Sequence, residues 1–134
     1  MTHPFFDLSD KVAIVTGTSR GLGQYMGRAL AKAGADLVIT SREKDSLAAY
    51  QAEIQDLGRE ALPLELDVLE YDSIQQMVAE AHAHYGKIDI LVNNAGCNIR
   101  KPSVDITWED WNTVLNTNLR GTFFVAQAVA KKMI

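Results

Sequence analysis

Cysteine is almost absent from these 134 residues: Cys97 stands alone, so no disulfide forms within the chain and no Cys/His pairing has structural-zinc spacing. A reducing compartment is the simplest setting, and the expected location is cytoplasmic. Charge of one sign is equally scarce. With 13 Lys and Arg against 17 Asp and Glu the formal net charge is -4, which leaves no broad basic surface to hold nucleic acid or an anionic membrane by charge alone. No apolar run approaches the roughly 18 residues that a membrane-spanning helix needs. The opening MTHPFFDLSDK lacks the basic start and long apolar stretch of a secretory signal. Repeats, linkers and low-complexity segments are missing as well. What remains is one domain, residues 1–134, apolar in 47% of its residues, and any anion it binds must be held by a local site.

Short runs that are apolar on both faces predict strands of a parallel sheet covered by helices on each side: Val12 to Val15, Asp36 to Thr40, Ala61 to Val68 and Ile88 to Val92. Between them lie stretches of helical spacing. Leu22, Met26, Ala29, Leu30 and Ala33 form one, Leu47, Tyr50, Ile54 and Leu57 a second, and Ile74, Met77, Val78, Ala81 and Tyr85 a third. Gly34, Gly58 and Gly86 fall just beyond these stretches, where a left-handed closing residue is common. Asp72 with Gln75 and Thr107 with Asp110 have the spacing of N-terminal caps, the second opening a long helix from Trp108. In that helix Trp111, Val114, Leu115 and Leu119 are expected to cover the sheet, while Phe123, Phe124, Val125 and Val129 suggest a second buried face. The alternation implies an α/β, doubly wound parallel sheet, with ligands beyond the carboxyl ends of its strands.

Directly after the first strand comes Thr16-Gly17-Thr18-Ser19-Arg20-Gly21-Leu22-Gly23, leading into the first helix. Glycines there allow a tight turn and the close approach of backbone to a pyrophosphate, which meets amides and the positive end of the helix dipole. The spacing Gly-x-x-x-Gly-x-Gly resembles the fingerprint of the short-chain dehydrogenase/reductase family. Asp67 ending the third strand, Asn93-Asn94-Ala95-Gly96 ending the fourth, and Trp111 with Asn118-Leu119-Arg120-Gly121 agree with it in order and separation. The resemblance runs from about Leu8 to residue 134.

The resemblance implies a Rossmann-type sheet, incomplete at its C-terminal side, that binds a nicotinamide cofactor. By position, Gly17, Ser19, Arg20, Gly21, Leu22 and Gly23 would belong to the phosphate loop. Asp67 and Val68 would hold the adenine, with Asn94, Ala95 and Gly96 beside the ribose. About 20 residues after the glycine loop, NAD-binding folds usually carry an acid. Here stand Ser41 and Arg42, and with Arg20 they favour the 2'-phosphate of NADP(H) over NAD(H). Glu43 is a neighbouring carboxylate able to engage Arg42.

The family's catalytic serine and its Tyr-x-x-x-Lys are not found in these residues, and Asn118 alone matches the catalytic set, as the support of a water in a proton path. The chain as given is therefore expected to be inactive, as the N-terminal part of an oxidoreductase transferring hydride between cofactor and a small carbonyl or alcohol. A nucleotide-binding module without catalysis is the alternative. Gly96 to Pro102 and Phe6 to Ser9 resemble the gluconate and deoxygluconate dehydrogenase branch, in which Arg100 and Lys101 would face a sugar-acid carboxylate. A 3-oxoacyl-carrier-protein reductase is the competing substrate reading. Relatives pair the last helix with its copy, so a homo-oligomer, dimer or tetramer, is expected. Asn93 reads as structural and Cys97 as a small loop residue without a base. His82 and His84, two apart on a helix, point apart and make no metal pair.

Overall fold

Strands apolar on both faces assemble where both faces are covered. In the computed structural model, which describes residues 4–134, β1 (Val12–Val15) is buried along its whole length. It lies between β2 (Asp36–Ser41) and β4 (Ile90–Val92), and β3 (Ala61–Glu65) flanks β2 on the outside. The first three residues of the opening segment lie outside the described residues. All pairings are parallel, with Ile14 beside Val38 and Leu91, and Val38 beside Leu62. Pro63, which has no amide to donate, sits in the outer strand β3, where a missing donor is tolerated.

Alternating side chains divide two cores. Ala13, Leu37 and Ile39 point to the face covered by α1 (Leu22–Lys32) and α2 (Ala48–Asp56). Val12, Ile14 and Val38 point to the other, covered by α3 (Tyr71–Tyr85) and α5 (Thr122–Met133). Each Val, Leu or Ile buried in this way stabilises the fold by about 1.5–3 kcal/mol relative to exposure. β2 runs one residue further than its apolar pattern. β3 stops at Glu65, short of Val68, because the chain turns: Leu69 N–H donates to Asp67 Oδ1 and Glu70 N–H to the Asp67 carbonyl, both at 3.0 Å. β4 starts at Ile90 rather than Ile88.

The helices correct several expectations. On α1 the buried residues are Gly23, Gly27 and Ala31, while Leu22 is exposed. Close approach decides the face. A Cβ on Gly27 would lie 2.2 Å from the Tyr50 hydroxyl oxygen, so the small-residue stripe, not the large apolar one, meets α2 and the sheet. No cap forms from Asp72 and Gln75: α3 already begins at Tyr71, and Asp72 lies inside its first turn. The capping box at Thr107 does form, with Asp110 N–H donating to Thr107 Oγ1 (3.0 Å) and Thr107 N–H to Asp110 Oδ2 (3.1 Å). Gly34, Gly58 and Gly86 close their helices at φ 112°, 83° and 76°.

The long last helix is broken. α4 (Trp108–Leu115) passes through a π-helical turn, Asn116–Gly121, into α5. Val125, Ala128 and Val129 of α5 enter the core, whereas Trp111 and Leu119, expected on the sheet, are 61% and 66% exposed. Phe123 is also turned outward. Among the described residues no helix is long and apolar enough to cross a membrane.

Candidate functional site

Four loops meet beyond the carboxyl ends of the strands, and buried threonines join three of them. Thr16 Oγ1 accepts from the Asn94 (3.0 Å) and Ala95 (2.9 Å) amides, while Asn94 Nδ2 donates to the carbonyls of Thr16 and Gly17, each at 3.1 Å. Thr40 N–H donates to Thr18 Oγ1 (3.0 Å), and Gly17 N–H reaches Thr40 Oγ1 (3.3 Å). The loops after β1, β2 and β4 are thereby held as one surface. Gly17 adopts φ 70°, with any Cβ meeting Ala95 Cα at 3.0 Å. A Cβ on Gly23 would stand 2.4 Å from the Gly17 carbonyl oxygen, so Gly23 lets α1 start directly beneath the loop.

The surface encloses an open cleft of about 1180 Å3. Gly17, Ser19, Arg20, Gly21 and Leu22 form its floor and rim at the start of α1, which no side chain caps. Ser41 and Arg42 enter from β2, Asp67 and Val68 from the end of β3, and Asn94, Ala95 and Gly96 from β4. Of the residues assigned to the cofactor or to catalysis in the sequence, Gly23, which is buried, and Asn118, which is exposed, do not line it. Neither Arg20 nor Arg42 enters an ion pair among the described residues, and Glu43 does not engage Arg42. The cleft also takes Thr40, Ser46, Leu66, Thr113 and Thr117, which the sequence reading missed. A polar β-branched residue ending an apolar run was the available signal for Thr16 and Thr40. Ser46, Thr113 and Thr117 carried none.

Asn118 closes the wall at the π turn. Its Oδ1 accepts from Cys97 N–H and its Nδ2 donates to the Cys97 carbonyl, both at 2.8 Å. Gly121 lets the same helix touch the loop after β3, since a Cβ there would lie 2.8 Å from the Val68 carbonyl oxygen. Asn93 Nδ2 donates to the Thr122 carbonyl (3.5 Å), a structural contact. Cys97 Sγ lies 3.9 Å from the Thr113 carbonyl oxygen. Outside the cleft, Lys101 Nζ donates to Asp110 Oδ2 at 2.6 Å and, with the Thr107 amide, holds the Asp110 carboxyl below its ordinary range. Arg100 has no such partner among the described residues. His84 pairs with Glu60 at 2.5 Å, away from His82.

This arrangement, an uncapped helix start, two unpaired guanidinium groups and a carboxylate on one cleft, suits an extended anion with a base at its far end. Residues 11–134 match the family model described as short chain dehydrogenase. Gluconate 5-dehydrogenase of Gluconobacter oxydans (strain 621H) is 40% identical over 100% of this chain and 53% of its own length. The 2-dehydro-3-deoxy-D-gluconate 5-dehydrogenase of Escherichia coli (strain K12) is 41% identical over 96% of this chain and 50% of its own. The chain thus spans about half the length of these curated relatives. A short-chain type dehydrogenase/reductase from Mycobacterium marinum superimposes with a TM-score of 0.92 at 37% identity, covering 95% of this chain and 50% of that one.

Proposed function

Because the chain belongs to the short chain dehydrogenase family, we propose that residues 1–134 are the NADP(H)-binding part of an oxidoreductase that interconverts an alcohol and a carbonyl. The observation that carries the cofactor reading is the pair of unpaired guanidinium groups, Arg20 and Arg42, on the cleft beside Ser41, where a fold selecting a free 2'-hydroxyl would carry an acid. The residues fit the group. Gly21 at φ 68° has open space where a Cβ would stand, as close passage of a pyrophosphate requires. Asp67 Oδ1 is held by the Leu69 amide, which fixes the carboxylate for an adenine edge. Gly17, Ser19 and Leu22 are assigned to the phosphates, Val68 to the base, and Asn94, Ala95 and Gly96 to the ribose. Gly23 supports the loop from beneath.

A bound nicotinamide supplies hydride chemistry; the residues here bind and orient it. Asn118 is assigned a positioning role, because both ends of its amide are engaged by Cys97. What it offers a proton path is the shape of the Asn116–Gly121 turn rather than a free side chain. The proton donor itself is assigned to a tyrosine outside these residues, so turnover needs more than this chain.

For the substrate we favour a sugar acid. Lys101 is neutralised by Asp110, which leaves Arg100 as the loop cation for a carboxylate. Dissociation constants of the intact protein for NADPH and NADH test the cofactor reading, and equal values or tighter NADH binding would sink it. A panel of aldonates and neutral polyols tests the substrate.

A further inference from the structure

The turn after β2 holds two hydroxyl groups whose protons are both committed. Ser46 Oγ donates to the Glu43 carbonyl oxygen at 2.6 Å. Its single proton is used there, so it meets Ser41 Oγ, 3.0 Å away, as an acceptor. Ser41 is therefore the donor of that pair, and its oxygen accepts in turn from Glu43 N–H at 3.2 Å. The circuit through Ser41, Ser46 and Glu43 aims every hydroxyl proton inward. Each serine oxygen keeps a second lone pair, and both residues line the cleft.

The consequence opposes the two arginines. A phosphate ester needs donors, and the circuit has none to give. A ribose hydroxyl is itself a donor and finds two acceptor oxygens ready. Ser46 stands outside the Ser41-Arg42 pattern and comes to the cleft only because the 3-10 turn Lys44–Leu47 folds it back.

We propose that Ser46 is a specificity-determining positioning residue: by holding the proton of Ser41 it presents acceptors to the ribose 2' position, favours a free hydroxyl there, and partly offsets the preference of Arg20 and Arg42 for a phosphate. This rests on the reading that the end of β2 receives the 2' substituent. Removing the Ser46 hydroxyl frees the Ser41 proton for the phosphate.

The test measures dissociation constants for NADPH and NADH, by calorimetry on the intact protein, for the unmodified form and for Ser46→Ala, Ser46→Thr and Arg42→Ala. In Ser46→Ala the preference for NADPH over NADH rises about threefold to tenfold, the share of one charge-assisted hydrogen bond that remains after the turn loosens. Ser46→Thr, which keeps the hydroxyl, retains the original ratio. A merely structural Ser46 would weaken both cofactors alike, so an unchanged or lowered ratio in Ser46→Ala overturns the proposal. Where Arg42→Ala still loses NADPH affinity in that case, only the role of Ser46 falls. Where Arg42→Ala leaves NADPH affinity unaltered, the assignment of the 2' position falls with it.

Discussion

Single side chains decide what the cleft accepts. Arg42 is exposed and without an ion pair among the described residues, so its guanidinium is available as a bidentate donor at no cost of breaking a bridge there. A charge-assisted contact of about 1.5–3 kcal/mol implies that Arg42→Ala weakens NADPH binding roughly tenfold to a hundredfold. NADH binding should barely change, and Ser41→Asp with Arg42→Ala should invert the preference. Titration of both cofactors against the variants checks this. Gly23 acts by what it lacks. With the Gly17 carbonyl oxygen only 2.4 Å from the site of a Cβ, Gly23→Ala must push α1 off the loop. It is expected to cost about 1–3 kcal/mol of stability and to weaken both cofactors together, read by denaturant melts alongside binding.

At the scale of elements, β1 and β4 are joined at their N-terminal ends by a carboxylate. Asp89 Oδ2 accepts from the Val12 amide at 2.9 Å and pairs with Lys87 at 3.2 Å. Partial burial pushes the Asp89 carboxyl up, but the Val12 amide and Lys87 outweigh it and hold it below its ordinary 3.8. The folded value thus lies below the unfolded one. The stability it contributes is fully present above the unfolded value and is lost as pH falls through the folded value. Melting temperature should therefore drop as the solution is acidified below pH about 4, and the drop should be shallower in Asp89→Asn. Parallel slopes for the two proteins would show that the carboxylate plays no part. The α4–α5 segment shows a different device. Its π turn, with Gly121 against Val68 and Asn118 against Cys97, touches two loops of the cleft at once.

For the whole molecule, the sheet has an outer strand, β4, whose residues are all only half-buried, and the segment from α4 to α5 leaves Trp111, Leu119 and Phe123 exposed. Exposed apolar surface of this extent is expected to be covered. We expect the intact protein to pair this helix with its copy, and a monomer at micromolar concentration in light scattering would count against it. The purified 134-residue chain is expected to show no cofactor-dependent turnover, because no Tyr-x-x-x-Lys occurs in it. Measurable turnover by that chain would overturn the assignment of the proton donor to residues outside it.

The sequence by itself determined the class of fold and the strand-end loops that border the cleft, but not Thr40, Ser46, Leu66, Thr113 or Thr117, which also line it. Strands apolar on both faces require cover on both sides, and the glycine loop, Ser41-Arg42, Asp67 and Asn94-Ala95-Gly96 stand at strand ends, which parallel pairing must bring together. Each of those signals is local, carried by a few neighbouring residues. Tertiary structure alone decided which stripe of α1 is buried, that the last helix breaks, and that Asn118 spends its amide on Cys97. It also decided that Lys101 is taken by Asp110 while Arg20 and Arg42 enter no ion pair among the described residues. Those outcomes rest on contacts between distant segments, such as Thr16 with Asn94, 78 residues apart. A hydrogen bond or a close approach of that kind depends on where two backbones come to lie, and no periodicity along the chain encodes it.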